Sequence, residues 1–286
     1  MMANAIFDTI GTSVFETISR LAAQHGAINL GQGFPEGMEA EPVLAAAVEA
    51  LRQGPHQYPP TLGLPDLRRA VAEANRRFWD IEVDWATEVV VTYDGRPHRP
   101  LMALPEARSC CLRIGSAGKT FSVTGWKVGY ITASAPLLAP VAKAHQYLTF
   151  ATPPHLQTAV AYGLRLPDGY FTGLQSVLRE HRDFLAGRLR QAGFAVLACS
   201  GAYFLCVDIA DFDPSDDDVA FCHRLIAECG VAAVPVSKFY AKRDMRRLIR
   251  LCFAKPLPRL NEAVERLSRW CRDRRETRFA SNDRTI

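Results

Sequence analysis

The chain has 286 residues, 48% of them hydrophobic and 22% charged, with a net charge of +4. That length accommodates one large or two ordinary domains, and the composition is that of an ordinary globular protein. The small positive excess gathers in arginines of the C-terminal tail and forms no groove-like stripe, so nucleic acid is not suggested as a partner. No apolar run reaches the length of a membrane span, and the N-terminus lacks the basic start and continuous apolar core of a signal peptide. Eight cysteines are scattered without a C-x-x-C or other metal spacing, so no metal is expected. They read as reduced thiols of a cytoplasmic protein.

In chain order, Val14, Ile18, Leu21 and Ala22 recur at helical spacing within residues 12–25. The following segment turns through Gly31-Gln32-Gly33. Two glycines around one residue permit close approach of the backbone to a ligand, although most such loops are only turns. Pro42 stands at a favoured early helix position, with a helix to residue 52 closed by Gly54-Pro55. A rigid, turn-rich stretch from His56 to Pro65 leads to a helix over 67–79 with Leu67, Val71, Ala74 and Phe78 on one face. Residues 88–92 read as a short strand, and Asp94-Gly95 as a turn.

Residues 111–114 and 128–131 read as two strands, and a glycine-punctuated loop joins them. The loop holds hydroxyls, Lys119 and Lys127, and little that a helix would want. A lysine amine is mostly protonated near neutral pH; desolvation or a neighbouring cation frees its lone pair for imine chemistry. Lys127 could be that cation, or one arm of an anion cradle with Ser116 and backbone N–H groups. Both lysines could equally be solvated.

Helices are expected over 136–147, 153–164 and 170–192, with His181 a packing residue on the last. Strands follow at 194–197 and 202–209. The acidic run 211–218 reads as a polar loop with Ser215 a candidate N-cap. A helix over 219–229 ends at Gly230, and 231–236 reads as a strand. In the strand 248–254, Arg250 interrupts apolar positions. It is either the polar side of a half-buried strand or a planar fork for a carboxylate. A helix over 260–270 closes the fold, and 272–286 reads as a disordered extension.

The string Ser116-Ala117-Gly118-Lys119-Thr120-Phe121-Ser122-Val123-Thr124-Gly125-Trp126-Lys127-Val128-Gly129 resembles the cofactor-lysine segment of class I/II aminotransferases. This is the fold-type I family that uses pyridoxal 5'-phosphate (PLP). The nearest likeness is to the kynurenine, glutamine and methionine aminotransferase group. The resemblance implies that Lys119 binds PLP covalently and is catalytic, and that Ser116 and Lys127 touch the cofactor phosphate. It implies that Tyr58 reaches the phosphate of a neighbouring subunit, hence a homodimer. Gly33 and Phe15 fall where relatives meet the substrate, and Arg250 where they bind its α-carboxylate. The implied substrates are an amino acid with an apolar, aromatic or thioether side chain and a 2-oxo acid.

The likeness spans nearly all of 5–271 in family order, except at Thr92-Tyr93. In relatives a Val-Thr strand of this kind leads into a glycine-rich turn at a helix N-terminus that grips the phosphate. Here it runs directly into Tyr93-Asp94-Gly95-Arg96-Pro97-His98, which resembles a stretch much further along. A block about the size of a small domain is absent. In the family that block carries the ring stacked on the pyridine, an Asn, the Asp that protonates the pyridine nitrogen, and a Tyr. PLP acts as an electron sink largely through such an acidic partner; Asp94 reads as a turn residue, not a replacement.

The expected fold is α/β of the PLP-dependent transferase type (fold type I). It comprises a truncated large domain with a reduced, mostly parallel sheet at 34–165, and a smaller α+β domain at 1–33 plus 166–271. The expected function is an aminotransferase impaired by the missing block. The alternative is a non-catalytic remnant acting only as a binding or dimerisation partner.

Overall fold

The computed structural model describes residues 12–54, 59–60, 62–88, 102, 104–148, 151–212, 217–241 and 245–282, with side chains as far as 274. The elements begin with α1 (Val14–Gln24), β1 (Ile28–Asn29), α2 (Glu41–Gln53), α3 (Pro65–Trp79), β2 (Arg113–Ser116) and α4 (Ala117–Thr120). Then come β3 (Gly129–Thr132), α5 (Ala135–Leu148), α6 (Pro154–Leu164), α7 (Asp168–Gln191), β4 (Ala195–Val196) and β5 (Phe204–Asp208). The last are α8 (Asp218–Arg224), β6 (Val231–Ala232), β7 (Val234–Pro235), β8 (Leu248–Cys252) and α9 (Leu257–Asn282). They fall into two units. Unit 1 is Met1–Gly33 with Ser176–Ile286, and unit 2 is Phe34–Gln175.

Unit 2 is built on α2, α3 and α6. The predicted apolar positions Leu67, Val71 and Ala74 are buried, together with Val43, Val160 and Phe121. Gly163 lets α6 lie close: a Cβ there would sit 2.8 Å from both Phe121 and Val43 side chains. Buried Gln157 ties the turn before α3 in place. Its carbonyl oxygen accepts the Leu64 N–H at 2.6 Å, and its amide donates to the Thr152 carbonyl at 2.7 Å. Among the described residues the sheet of this unit is the antiparallel pair β2–β3, with Arg113 opposite Thr132 and Ser116 opposite Gly129. The expected parallel neighbours are not among them; the predicted strand at 88–92 lies almost wholly outside the described residues.

Unit 1 holds an antiparallel sheet in the order β4-β5-β8-β7 and a parallel pair, β1–β6. Ser13 caps α1 by accepting the Glu16 N–H. The single strand expected over 231–236 is two. Val231–Ala232 pairs with β1 and Val234–Pro235 with β8, where Pro235 sits at the sheet edge that proline tolerates. Helix α8 is capped two residues beyond the predicted cap Ser215, which lies outside the described residues. Asp217 caps it, its carboxylate accepting from Val219 and Ala220. A π-helical turn, Leu225–Cys229, continues α8 and ends at Gly230 in the left-handed conformation. His181 is buried, as a packing residue should be.

Helix α9 runs on to Asn282, into the segment expected to be an unstructured extension. Arginine and glutamate are good helix formers, and the helix is tied down where that segment starts. The Trp270 indole donates to Glu228 at 2.9 Å, and Arg274 both pairs with Glu228 and lies over the Trp270 ring. None of the eight cysteines is in a disulfide. Among the described residues no helix is long and apolar enough to cross a membrane, and no cluster is suited to a metal ion.

Candidate active site

In unit 2 the loop between β2 and β3 is a closed structure. The Ala117 N–H donates to the Val128 carbonyl at 3.1 Å, one rung past the Ser116–Gly129 pair. Ser116 and Lys127 therefore flank the closing rung. The open loop expected from sequence contains a single helical turn, α4, and a 3-10 turn, Thr124–Trp126. Lys119 sits on the first of these. The Gly118 carbonyl accepts the Val123 N–H at 2.9 Å. A Cβ on Gly118 would lie 2.9 Å from the Thr124 Cα and 3.2 Å from the Val123 oxygen, so the position before Lys119 admits only glycine without a backbone shift. Ser122 and Lys127 both have left-handed backbone, φ 58° and 55°, at about 1 kcal/mol or more each.

Phe121 and Ala117 are fully buried and anchor this loop; Lys119 and Lys127 are exposed and Ser116 is half-buried. The loop thus brings two lysine side chains and a hydroxyl together on one short stretch of chain, a donor set suited to an anion beside an amine.

The second group lies in unit 1. Arg250 is the central residue of β8, paired in register with Cys206 of β5 and Val234 of β7. Ile249 and Leu251 on either side are buried in the core, which by strand alternation puts Arg250 on the other face. There it is half-buried among rings. Its guanidinium carbon lies 3.9 Å from the Phe204 centroid, 4.9 Å from Phe239 and 5.6 Å from Phe15. Its Nε is buried without a hydrogen-bond partner, and no carboxylate pairs with it among the described residues. Burial draws the Arg250 pKa down from its usual value, partly opposed by Cys252, Cys206 and Tyr203; the group remains a cation. A caged guanidinium without a carboxylate partner has the donor geometry that suits one.

Two devices hold the cage. The Asn29 side chain accepts the N–H groups of Gly31 and Gln32 at 2.9 and 3.1 Å, shaping the glycine turn that ends at Gly33. Buried Asp218 accepts both the N–H and the hydroxyl of Ser237 at 2.7 Å. That fixes the 3-10 turn Val236–Phe239 and hence the Phe239 ring. Phe204, Phe239, Asp218 and Ser237 carried no signal in the sequence reading, since their roles depend on strand register and on a contact across the fold. Of the predicted residues, Ser116, Lys119 and Lys127 share one loop, Phe15 and Arg250 share one cage, and Tyr58 lies outside the described residues.

Residues 95–267 match the family model for aminotransferase class I and II. The methionine aminotransferase of Escherichia coli (strain K12) is 29% identical over 370 aligned positions, covering 90% of this chain and 96% of that protein. Kynurenine–oxoglutarate transaminase 1 of Mus musculus is 34% identical over 200 residues, 63% of this chain and 47% of that protein. The solved structure of Escherichia coli YbdL, a methionine aminotransferase, superposes with a TM-score of 0.86 at 28% identity, covering 94% of this chain and 100% of that one. N-succinyldiaminopimelate aminotransferase of Mycobacterium tuberculosis gives 0.84 at 29% identity, covering 94% and 99%. An alignment of 370 positions exceeds the 286 residues available, so the Escherichia coli relative has residues with no counterpart here. The fold is α/β, that of the fold-type I PLP-dependent transferases. The chain belongs to the class I and II aminotransferase family.

Proposed function

We propose that this chain is a PLP-dependent aminotransferase. It would move the amino group of an amino acid with an apolar, aromatic or thioether side chain to a 2-oxo acid, with turnover reduced by the missing block. The observation that carries this reading is the closed loop presenting Lys119 beside Ser116 and Lys127. The donor set fits the cofactor's carbonyl and phosphate ends: an exposed amine for the one, a hydroxyl and a second cation for the other. No acidic residue occurs between Gly115 and Gly129, so the loop itself offers no partner for the pyridine nitrogen. When bound, PLP supplies an electron sink for cleavage of a bond at the substrate α-carbon.

In this reading Lys119 holds the cofactor and, once displaced, carries the α-proton as base and then acid. Ser116 and Lys127 hold the phosphate. Arg250 takes the α-carboxylate, and Phe15 and Gly33 border the side chain. Residues 34–165 would belong to the truncated cofactor domain, with 166–175 packed into the same unit, and 1–33 plus 176–271 would form the smaller one. The pair of substrates would be served by a homodimer with Tyr58 reaching across to the partner's phosphate site.

The test is the absorption spectrum of the purified chain with added PLP, beside Lys119→Ala. A shifted band present in the wild type and lost in the variant is expected, followed by slow turnover with methionine, glutamine or kynurenine. The number of aligned positions without a counterpart favours a second reading, a non-catalytic remnant that binds or dimerises only. The same spectrum in both proteins, with no turnover, would establish that one.

A further inference from the structure

We propose that Phe204 is a positioning residue for Arg250, and that residue 33 is glycine because the Phe204 ring fills the space its side chain would need. The inference rests on Arg250 being the carboxylate anchor.

Phe204 and Arg250 lie on neighbouring strands, but not opposite each other: Phe204 pairs with Cys252, and Arg250 with Cys206. Diagonal neighbours on one sheet face are within reach when one is aromatic and the other long. The ring accordingly meets the guanidinium carbon at 3.9 Å, contact distance and the shortest of the three ring contacts. Such a contact attracts a cation and covers it on one side, leaving in-plane N–H groups for a ligand.

The Cζ end of the ring abuts Gly33. A Cβ there would lie 2.3 Å from Phe204 Cζ and 2.8 Å from Cε1, with the Tyr203 ring at 3.2 Å. The Tyr203 hydroxyl also donates to the Gly33 carbonyl at 3.4 Å. Backbone, ring and guanidinium therefore form one run of contacts. Any side chain at position 33 must push Phe204, and through it the fork.

The experiment uses the full chain and compares its affinity for 3-phenylpropionate with that for 3-phenylpropionamide by calorimetry. The two probes differ in charge at the carboxyl end. The wild type should prefer the acid, and Arg250→Ala should not. Phe204→Leu should lower the preference by roughly two- to fivefold. Gly33→Ala should lower both the preference and Tm. The double variant Gly33→Ala/Phe204→Leu, which lacks Cε1 and Cζ, should recover Tm without recovering the preference. No acid preference in the wild type would overturn the anchor reading and this inference with it. A wild-type preference unchanged in Phe204→Leu, or Tm penalties that simply add in the double variant, would overturn this inference alone.

Discussion

Arg250 is a half-buried cation with an unsatisfied Nε and rings on several sides. Such a group is costly to the folded state and useful to a ligand. Arg250→Met should therefore stabilise the chain, by about 1 kcal/mol, because a hydrophobe of similar length replaces an unpaired buried charge; urea unfolding reads it. The same variant should lose the acid preference entirely. His181 gives a prediction of opposite kind. Burial lowers its pKa, against smaller raising effects of the Phe253 backbone and Glu180. Its unfolded form takes up a proton first as pH falls, so its contribution is intact above about pH 6.5 and lost below it. Stability followed from pH 7.5 to 5 should fall more steeply in the wild type than in His181→Gln; parallel curves would refute this. The residues with a string around them, Lys119 and Arg250, were legible in the sequence. Phe204 was legible as a strand residue, but its place against Arg250 follows from register, which no local pattern states.

Among elements, the 3-10 turn carrying Phe239 depends on one buried carboxylate. Asp218→Ala would strand the Ser237 N–H and hydroxyl inside unit 1 and is expected to cost about 2–4 kcal/mol, measured by chemical denaturation. A cost near zero would mean that water replaces the carboxylate. In the lysine loop, Gly118→Ala drives a Cβ onto backbone and should cost about 1–3 kcal/mol and weaken the PLP band with Lys119 still present. Helices α1, α2 and α3 were readable because a period near 3.6 runs through each, and their observed ends fall close to those expected. The short pieces were not. A one-turn helix such as α4 has no period, and the break between β6 and β7 comes from two partners competing for adjacent residues. The Asp217 cap sits in an acidic run where several residues are chemically equivalent candidates.

At the scale of the whole chain, each unit has a core of its own, so unfolding is expected to show more than one transition. The tryptophans make this visible. Trp79, Trp85 and Trp126 belong to unit 2 and Trp270 to unit 1, so fluorescence should follow mainly unit 2 while far-ultraviolet circular dichroism follows both. Added PLP should raise the fluorescence midpoint and leave the other transition in place, since a ligand stabilises only what binds it. Coincident curves by both probes would show a single cooperative unit instead. The family was legible from the order of short strings. The sheet of unit 2 was not, because the strands expected to flank it belong to the missing block or to residues outside those described.

Lys127 holds a left-handed backbone that glycine or asparagine would adopt at less cost. This makes position 127 a record of selection that can be replayed. A library of this chain propagated only for folded, protease-resistant protein should drift there toward glycine or asparagine. One propagated for amino-group transfer should keep the lysine and tolerate the strain. The winner at that single codon would tell which demand the chain still answers to.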